Sequence, residues 1–304
     1  MSAGNGSKAI IAALTANLGI AVAKFVGFLF TGSSSLLAES VHSVADTANQ
    51  GLLLLGRRRA ARAPDAAHPF GYGRDRFFYS FVVALLLFTL GAVFSLYEGI
   101  HKIGEPAPVA APVVGLVILV LAAGLEAFSF RTALRESRPF KGERSWWGFI
   151  REATEPELPV VVLEDFGALI GLLLALLGVL LSTLTGNGVW DGVATVGIGL
   201  LLGVIAAILI VEMKSLLLGE GADVATVAQI TEALETGRVE RLIHLRTQYL
   251  SPDELLVGAK IALAASLSLE DVAVAIDDAE RRIRAAVPQA KVIYLEPDLD
   301  RSPH

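Results

Sequence analysis

Apolar residues are not spread evenly along the chain. They gather in six stretches, at about 8–30, 35–57, 76–101, 109–134, 157–183 and 191–217. A bilayer core about 30 Å thick needs roughly 20 apolar residues in a helix, so each stretch is long enough to span. The first lacks a basic leading region and a small-residue cleavage site, and it reads as a retained helix rather than a removable signal. After residue 220 the pattern changes. "VATVAQITEALET" has helical periodicity, while "VERLIHLRTQYL" and "ELLVGAKIAL" read as strands joined by the turn "SPD". "SLEDVAVAIDDAERRIRAAV" follows as a helix with Ser268 as N-cap and Asp271 at its third position, and "AKVIYLEP" as a last strand.

The pattern therefore predicts an α-helical polytopic membrane protein with six transmembrane helices over residues 1–219. Residues 220–304 form a cytoplasmic α+β domain. Its order, αββαβ, suits a small sandwich of ferredoxin-like type.

Composition supports this. Hydrophobic residues make up 54% of the chain, charged residues 18%, and the mean hydropathy is +0.60. The net charge of −6 shows no footprint for nucleic acid. Cysteine is absent, which excludes disulfides, thiolate metal sites and a cysteine nucleophile. The loop after the second stretch holds Arg57, Arg58, Arg59, Arg62, Arg74 and Arg76, and the loop after the fourth holds Arg135, Arg138, Lys141, Arg144 and Arg151. The loops after the first and fifth have no Lys or Arg, and the one after the third has only Lys102. By the positive-inside rule, both termini and the two basic loops are cytoplasmic. Between the fourth and fifth stretches, Trp146, Trp147, Phe149 and Ile150 beside Arg144 and Arg151 predict a short interfacial helix.

The candidate chemistry lies inside the membrane. In "LAESVHSVADTANQG" the residues Glu39, His42, Asp46 and Asn49 fall within about one quadrant of a helix. His42 and Asp46, at i and i+4, can meet around one small cation. A charge at bilayer depth costs at least about 2.5–3.5 kcal/mol, so such a stripe must face a cavity or another polar helix. The fifth stretch offers the partner, for its only ionisable residues are Glu164 and Asp165. Antiparallel helices bring Asp46 and Asp165 near the midplane, where with His42 they could bind a divalent first-row metal. Two acids in a dry site repel and need a cation or a proton. Asn17 reads as an interhelical hydrogen-bonding residue, and Lys24 as either the same or a side chain reaching toward the outer surface.

"TGSSSLLAESVHSVADTANQGLLLLG" followed by "HPFGYGR" resembles the cation diffusion facilitator family, and "LEDFGA" its divergent zinc-transporter branch. The resemblance implies a homodimeric metal/proton exchanger with six membrane helices and a ferredoxin-like domain. It also implies a central site made of two i, i+4 dyads. Helix two supplies His42 and Asp46; helix five supplies Asp165, but Val161 stands at the other position and cannot ligate. The fourth place would then fall to water or Glu164 first, then Glu39, then Asn49. Of the family's loop site, Asp65 and His68 are present with Tyr72 in the third place, so "HPFGYG" reads better as a shaped turn. In the last domain Tyr294 stands where a histidine is expected; His244 and Glu296 are a weak metal pair, and the domain is expected mainly to dimerise. The family's basic residue after the loop glycine matches Arg74, but its acid falls at Leu218, with Glu220 as a substitute.

The expectation is a secondary transporter exporting Zn²⁺ against protons from the cytoplasm of a bacterial cell, with no cofactor. Mn²⁺, Fe²⁺, Co²⁺ or Cd²⁺ are alternative cargoes. No phosphate-binding G-x-x-x-x-G-K-[ST] motif is present, so a gradient must drive it. Two other classes fit parts of the pattern: an intramembrane metallohydrolase using Glu39 or Glu164 as base, and a metal-sensing receptor.

Overall fold

A computed structural model describes the backbone of residues 3–299 and the side chains of 17–299. The chain divides into two compact units. One comprises the residues up to Arg58 with Phe78–Met213; the other comprises Arg59–Phe77 with the chain from Lys214 onward.

The first unit is a helical bundle. Its elements are α1 (Ala3–Thr31), α2 (Ser34–Ala60), α3 (Asp75–Leu86), a π-helical turn (Leu87–Val93), α4 (Phe94–Gly104), α5 (Pro112–Lys141), α6 (Trp146–Glu152), α7 (Glu157–Thr185) and α8 (Val189–Leu218). Among the described residues, four helices are long and apolar enough to cross a bilayer: Asp75–Gly104 taken through its π turn, α5, α7 and α8. At 27 residues α2 has the length of a span, but its polar stripe and terminal arginines dilute its apolarity. Side chains of α1 before residue 17 lie outside the described residues; the described apolar part runs Asn17–Thr31. The expected interfacial segment is the helix α6, capped by Ser145, whose hydroxyl accepts the Gly148 N–H at 2.9 Å.

Two polar fastenings fix the bundle's helix ends. At one end "TGSSS" wraps a buried carboxylate. Asp191 of α8 accepts from the Ser33 hydroxyl (2.8 Å), the Ser34 N–H (2.7 Å), and the Ser34 and Ser35 hydroxyls. Gly32, at φ +62°, turns the chain sharply from α1 into α2, and its carbonyl accepts from Lys102 of α4 at 2.8 Å. At the other end, Arg57 of α2 pairs with buried Glu157 of α7 at 3.3 Å. Between these ends α5 packs along α7 and α1.

The second unit contains α9 (Val224–Leu234), β1 (Val239–Ser251), β2 (Glu254–Leu263), α10 (Leu269–Ala286) and β3 (Ala290–Asp298). The order is the αββαβ that the sequence predicts. The sheet runs β1-β2-β3; β2 is central, antiparallel to β1 and parallel to β3. Its side chains Leu255, Val257 and Ile261 are buried, as are Ile230 of α9 and Ile283 of α10. Ser268 caps α10 as expected, accepting the Asp271 N–H at 3.1 Å. The 59–77 segment joins this unit through Arg76, whose guanidinium meets Asp253 at 3.1 Å. Gly73 lies so close to the hairpin that a Cβ there would stand 2.9 Å from the Leu250 carbonyl oxygen.

Helices α4 and α8 approach closely at glycines. A Cβ on Gly99 would sit 2.7 Å from the Val196 backbone nitrogen and 2.9 Å from the Gly192 carbonyl oxygen, atoms that cannot yield. Gly99→Ala should therefore push the helices apart, costing about 1–3 kcal/mol as overpacking does. Thermal melting in detergent should show a lower midpoint for Gly99→Ala and no loss for Gly104→Ala, where the added carbon meets nothing within 4 Å.

Candidate metal centre

A cavity of about 30 Å³ lies within the bundle, room for about one water or one bare ion. Asp46 and Gln50 of α2 line one side; Val161, Glu164 and Asp165 of α7 line another. Glu126 and Ser129 of α5, with Asn17 of α1, complete the wall. Four carboxylates around so small a space in an apolar bundle require positive charge among them, from bound cations or protons.

Each acid is held differently. Asp165 accepts from the Ser129 hydroxyl at 2.9 Å. Glu164, buried, accepts from the Asn49 side-chain N–H at 2.7 Å. The two neighbours on α7 thus straddle the cavity, which is the condition under which both can face one ion. Asn49, the last in order of the fourth-ligand candidates, turns its nitrogen to Glu164 and keeps a buried oxygen without a partner. Asp46 keeps one oxygen without a hydrogen-bond partner. His42 is fully buried and is not part of the cavity wall; neither ring nitrogen has a hydrogen-bond partner, and Nε2 lies 3.6 Å from an Asp46 oxygen. That is beyond hydrogen-bond range but close enough for both to reach one ion. Among the described residues, no three His, Asp or Glu side chains are drawn together tightly enough to hold a metal as they stand.

Glu39 is placed differently from the sequence expectation. It sits one turn from His42 and off the cavity, because Lys24 of α1 claims it. The ammonium meets a Glu39 carboxylate oxygen at 3.0 Å and the Ser43 hydroxyl at 2.8 Å, with both ionic side chains buried. Lys24 does not reach for the surface. Gly171 of α7 makes the pocket, since a Cβ there would collide with the free Glu39 oxygen. A compensated pair this deep has no charge to spare for an incoming cation.

Glu126 is the residue that the sequence reading missed. A lone glutamate in the middle of an otherwise apolar span was the available signal.

The secondary candidates are engaged elsewhere. Asp65 accepts the N–H groups of Ala67 and His68 and the Tyr72 hydroxyl at 2.7 Å, so "HPFGYG" is a shaped turn built around that carboxylate. These bonds, the Tyr72 hydroxyl foremost, hold the Asp65 carboxyl below its ordinary range. In the other unit Lys260 bridges Glu296 (3.1 Å) and Asp298 (2.9 Å), so the acid of the weak His244–Glu296 pair is engaged by an ammonium.

An acid-lined chamber inside membrane-spanning helices is the equipment of a cation carrier. The cation efflux transmembrane-domain family model matches residues 10–218, and the chain belongs to this family, the cation diffusion facilitators. It is a multi-pass membrane protein of a transporter family rather than an enzyme, so the hydrolase reading is set aside. Similar proteins include the mitochondrial proton-coupled zinc antiporter SLC30A9 of Mus musculus, 34% identical over 224 residues, covering 73% of this chain and 39% of that protein. Metal tolerance protein C4 of Arabidopsis thaliana is 29% identical over 265 residues, 84% of this chain and 57% of its own length. Magnetosome protein MamB of Paramagnetospirillum magneticum is 24% identical over 287 residues, 93% and 90% of the two chains. The chain thus spans about two fifths of the length of the animal antiporter.

Two expectations follow. Lys24→Met strands a buried carboxylate and should destabilise the folded protein by about 3–5 kcal/mol, whereas adding Glu39→Gln should recover most of that loss; chemical denaturation of the three proteins measures both. Tyr72→Phe should raise the Asp65 midpoint toward the ordinary carboxylate range. An Asp depressed in the folded state stabilises above its unfolded midpoint and loses that effect as pH falls. The variant should therefore show a shallower acid-side decline, read from carboxyl NMR titration beside melting at pH 3 to 6.

Proposed function

We propose that the protein is a proton-coupled secondary transporter that exports a divalent transition metal, Zn²⁺ first, from the cytoplasm. The observation that carries this reading is the convergence of Asp46 and Asp165 from two helices on one small pocket of the bundle, with an unpartnered, fully buried His42 beside Asp46. Carboxylates with one imidazole suit a borderline divalent ion better than a monovalent one, and the imidazole favours Zn²⁺ over Mn²⁺. The similar animal proteins are named as proton-coupled zinc antiporters, which supports both the cargo and its driving gradient.

In this reading α1 and α2 complete six spans with the four apolar ones. The alternation of arginine-rich loops with loops that hold at most one lysine supports cytoplasmic termini, and the membrane in this reading is a bacterial plasma membrane. The ion enters dehydrated, exchanges its water for the carboxylate oxygens and the imidazole, and leaves on the far side when the helices rock about the site. Protons entering down their gradient balance the charge that the departing metal removes. The second unit, with an exposed Tyr294 and its acids tied to Lys260, serves homodimerisation rather than tight metal binding.

Asp46→Asn should reduce Zn²⁺ flux into proteoliposomes by more than a hundredfold while leaving the melting midpoint close to that of the parent protein. Flux equal to the parent from a folded Asp46→Asn protein would remove the site assignment.

A further inference from the structure

The position helix five leaves empty at Val161 has a substitute in space. Glu126 is the fifteenth of the thirty residues of α5, roughly 20 Å along the axis from either end at 1.5 Å per residue. A glutamate side chain reaches only about 5 Å, so it cannot escape to an aqueous surface, and an intramembrane acid without that escape is a candidate functional group. It borders the same cavity as Asp46, Asp165 and Val161. Ser129, three residues on and hence on the same face, binds Asp165, which fixes this face of α5 toward α7.

Of the other acids, Glu39 is paired with Lys24 off the cavity, whereas Glu164 accepts one hydrogen bond from Asn49, as Asp165 does from Ser129, and both stay in the cavity wall. Glu126 has no hydrogen-bond or ion-pair partner among the described residues. Across from it, Asp46 has an unpartnered oxygen, and both nitrogens of the fully buried His42 are unpartnered, with Nε2 directed at Asp46. These unmet groups point to a ligand that they share.

We propose that Glu126 is a ligand of the transported cation, supplying from α5 the donor that Val161 cannot give, so that the ion is bound by Asp46, Asp165, Glu126 and His42. The assignment rests on the transport reading above and adds a third helix to the site. A set of three carboxylates and one imidazole is richer in oxygen than Asp46, Asp165 and His42 alone, and it raises the affinity for harder ions such as Mn²⁺ relative to Zn²⁺. It also ties α5 to the ion, so loading is felt by α2, α5 and α7 together.

The test uses the full chain in lipid nanodiscs, with Zn²⁺ and Mn²⁺ titrated by calorimetry. Four proteins are compared: the parent, Asp46→Asn, Glu126→Gln, and Glu126→Gln with Val161→Asp. Glu126→Gln, which is isosteric and removes a charge from the bilayer, should raise the Zn²⁺ Kd at least tenfold and the Mn²⁺ Kd more. The second acid at 161 should return the Zn²⁺ Kd to within about threefold of the parent. Co²⁺ absorption gives an independent readout: the parent's ligand-field bands should weaken or shift in Glu126→Gln. If Asp46→Asn binds Zn²⁺ like the parent, the site reading itself fails. If Asp46→Asn loses binding while Glu126→Gln keeps the parent's Kd and spectrum, the site stands and Glu126 is not a ligand. Failure of the acid at 161 to restore affinity would likewise overturn the assignment, leaving Glu126 a structural acid.

Discussion

A charge inside an apolar helix bundle must be answered by another charge or by a cavity, and this protein is organised around that constraint. Three arrangements meet it. Asp191 is enclosed by serine hydroxyls and a backbone N–H where α2 begins. Lys24 and Glu39 answer each other between α1 and α2. The third set, around the cavity, leaves an Asp46 oxygen and both nitrogens of the neighbouring His42 unmet. The first two fix helices, while the third is free to respond to what enters.

The closed and open pairings sit on the same helices. Along α2 alone, Ser34 and Ser35 serve the cage, Glu39 the ion pair, and Asp46, with His42 behind it, the cavity. A shift of α2 would therefore be felt at the cavity, the Asp191 cage and the Lys24–Glu39 pair at once. Since α5 carries Glu126 and packs against α7 and α1, it is the natural helix to transmit that motion to the rest of the bundle.

Much of this could be read from the sequence. Long apolar runs mark helices whatever their neighbours do, so each of the six segments falls on an observed helix, although the fourth, α5, runs seven residues past its apolar stretch, to Lys141. Period-two strands, the "SPD" turn and the Ser268 cap are equally local. His42, Asp46 and Asp165 stood out because polar residues in apolar runs are costly. Pairing across helices was less legible. Asp191 stands at the start of the sixth apolar stretch, and nothing local ties it to its serines, 156 to 158 positions earlier. Glu39 seemed a spare ligand because nothing local shows that Lys24 faces it. Glu126 was passed over because a single acid makes no spacing pattern; only the packing of α5 on α7 gives it company.

The pocket that holds Glu39 has an evolutionary corollary. A lysine on α1, a glutamate on α2 and a glycine on α7 satisfy one another: the lysine neutralises the acid, and the missing Cβ leaves room for it. None can drift alone without leaving a buried ion unmatched or an atom without space. Positions 24, 39 and 171 form one unit of inheritance, and lineages that lose it should lose it as a set, with a bulkier residue at 171 following once the acid has gone.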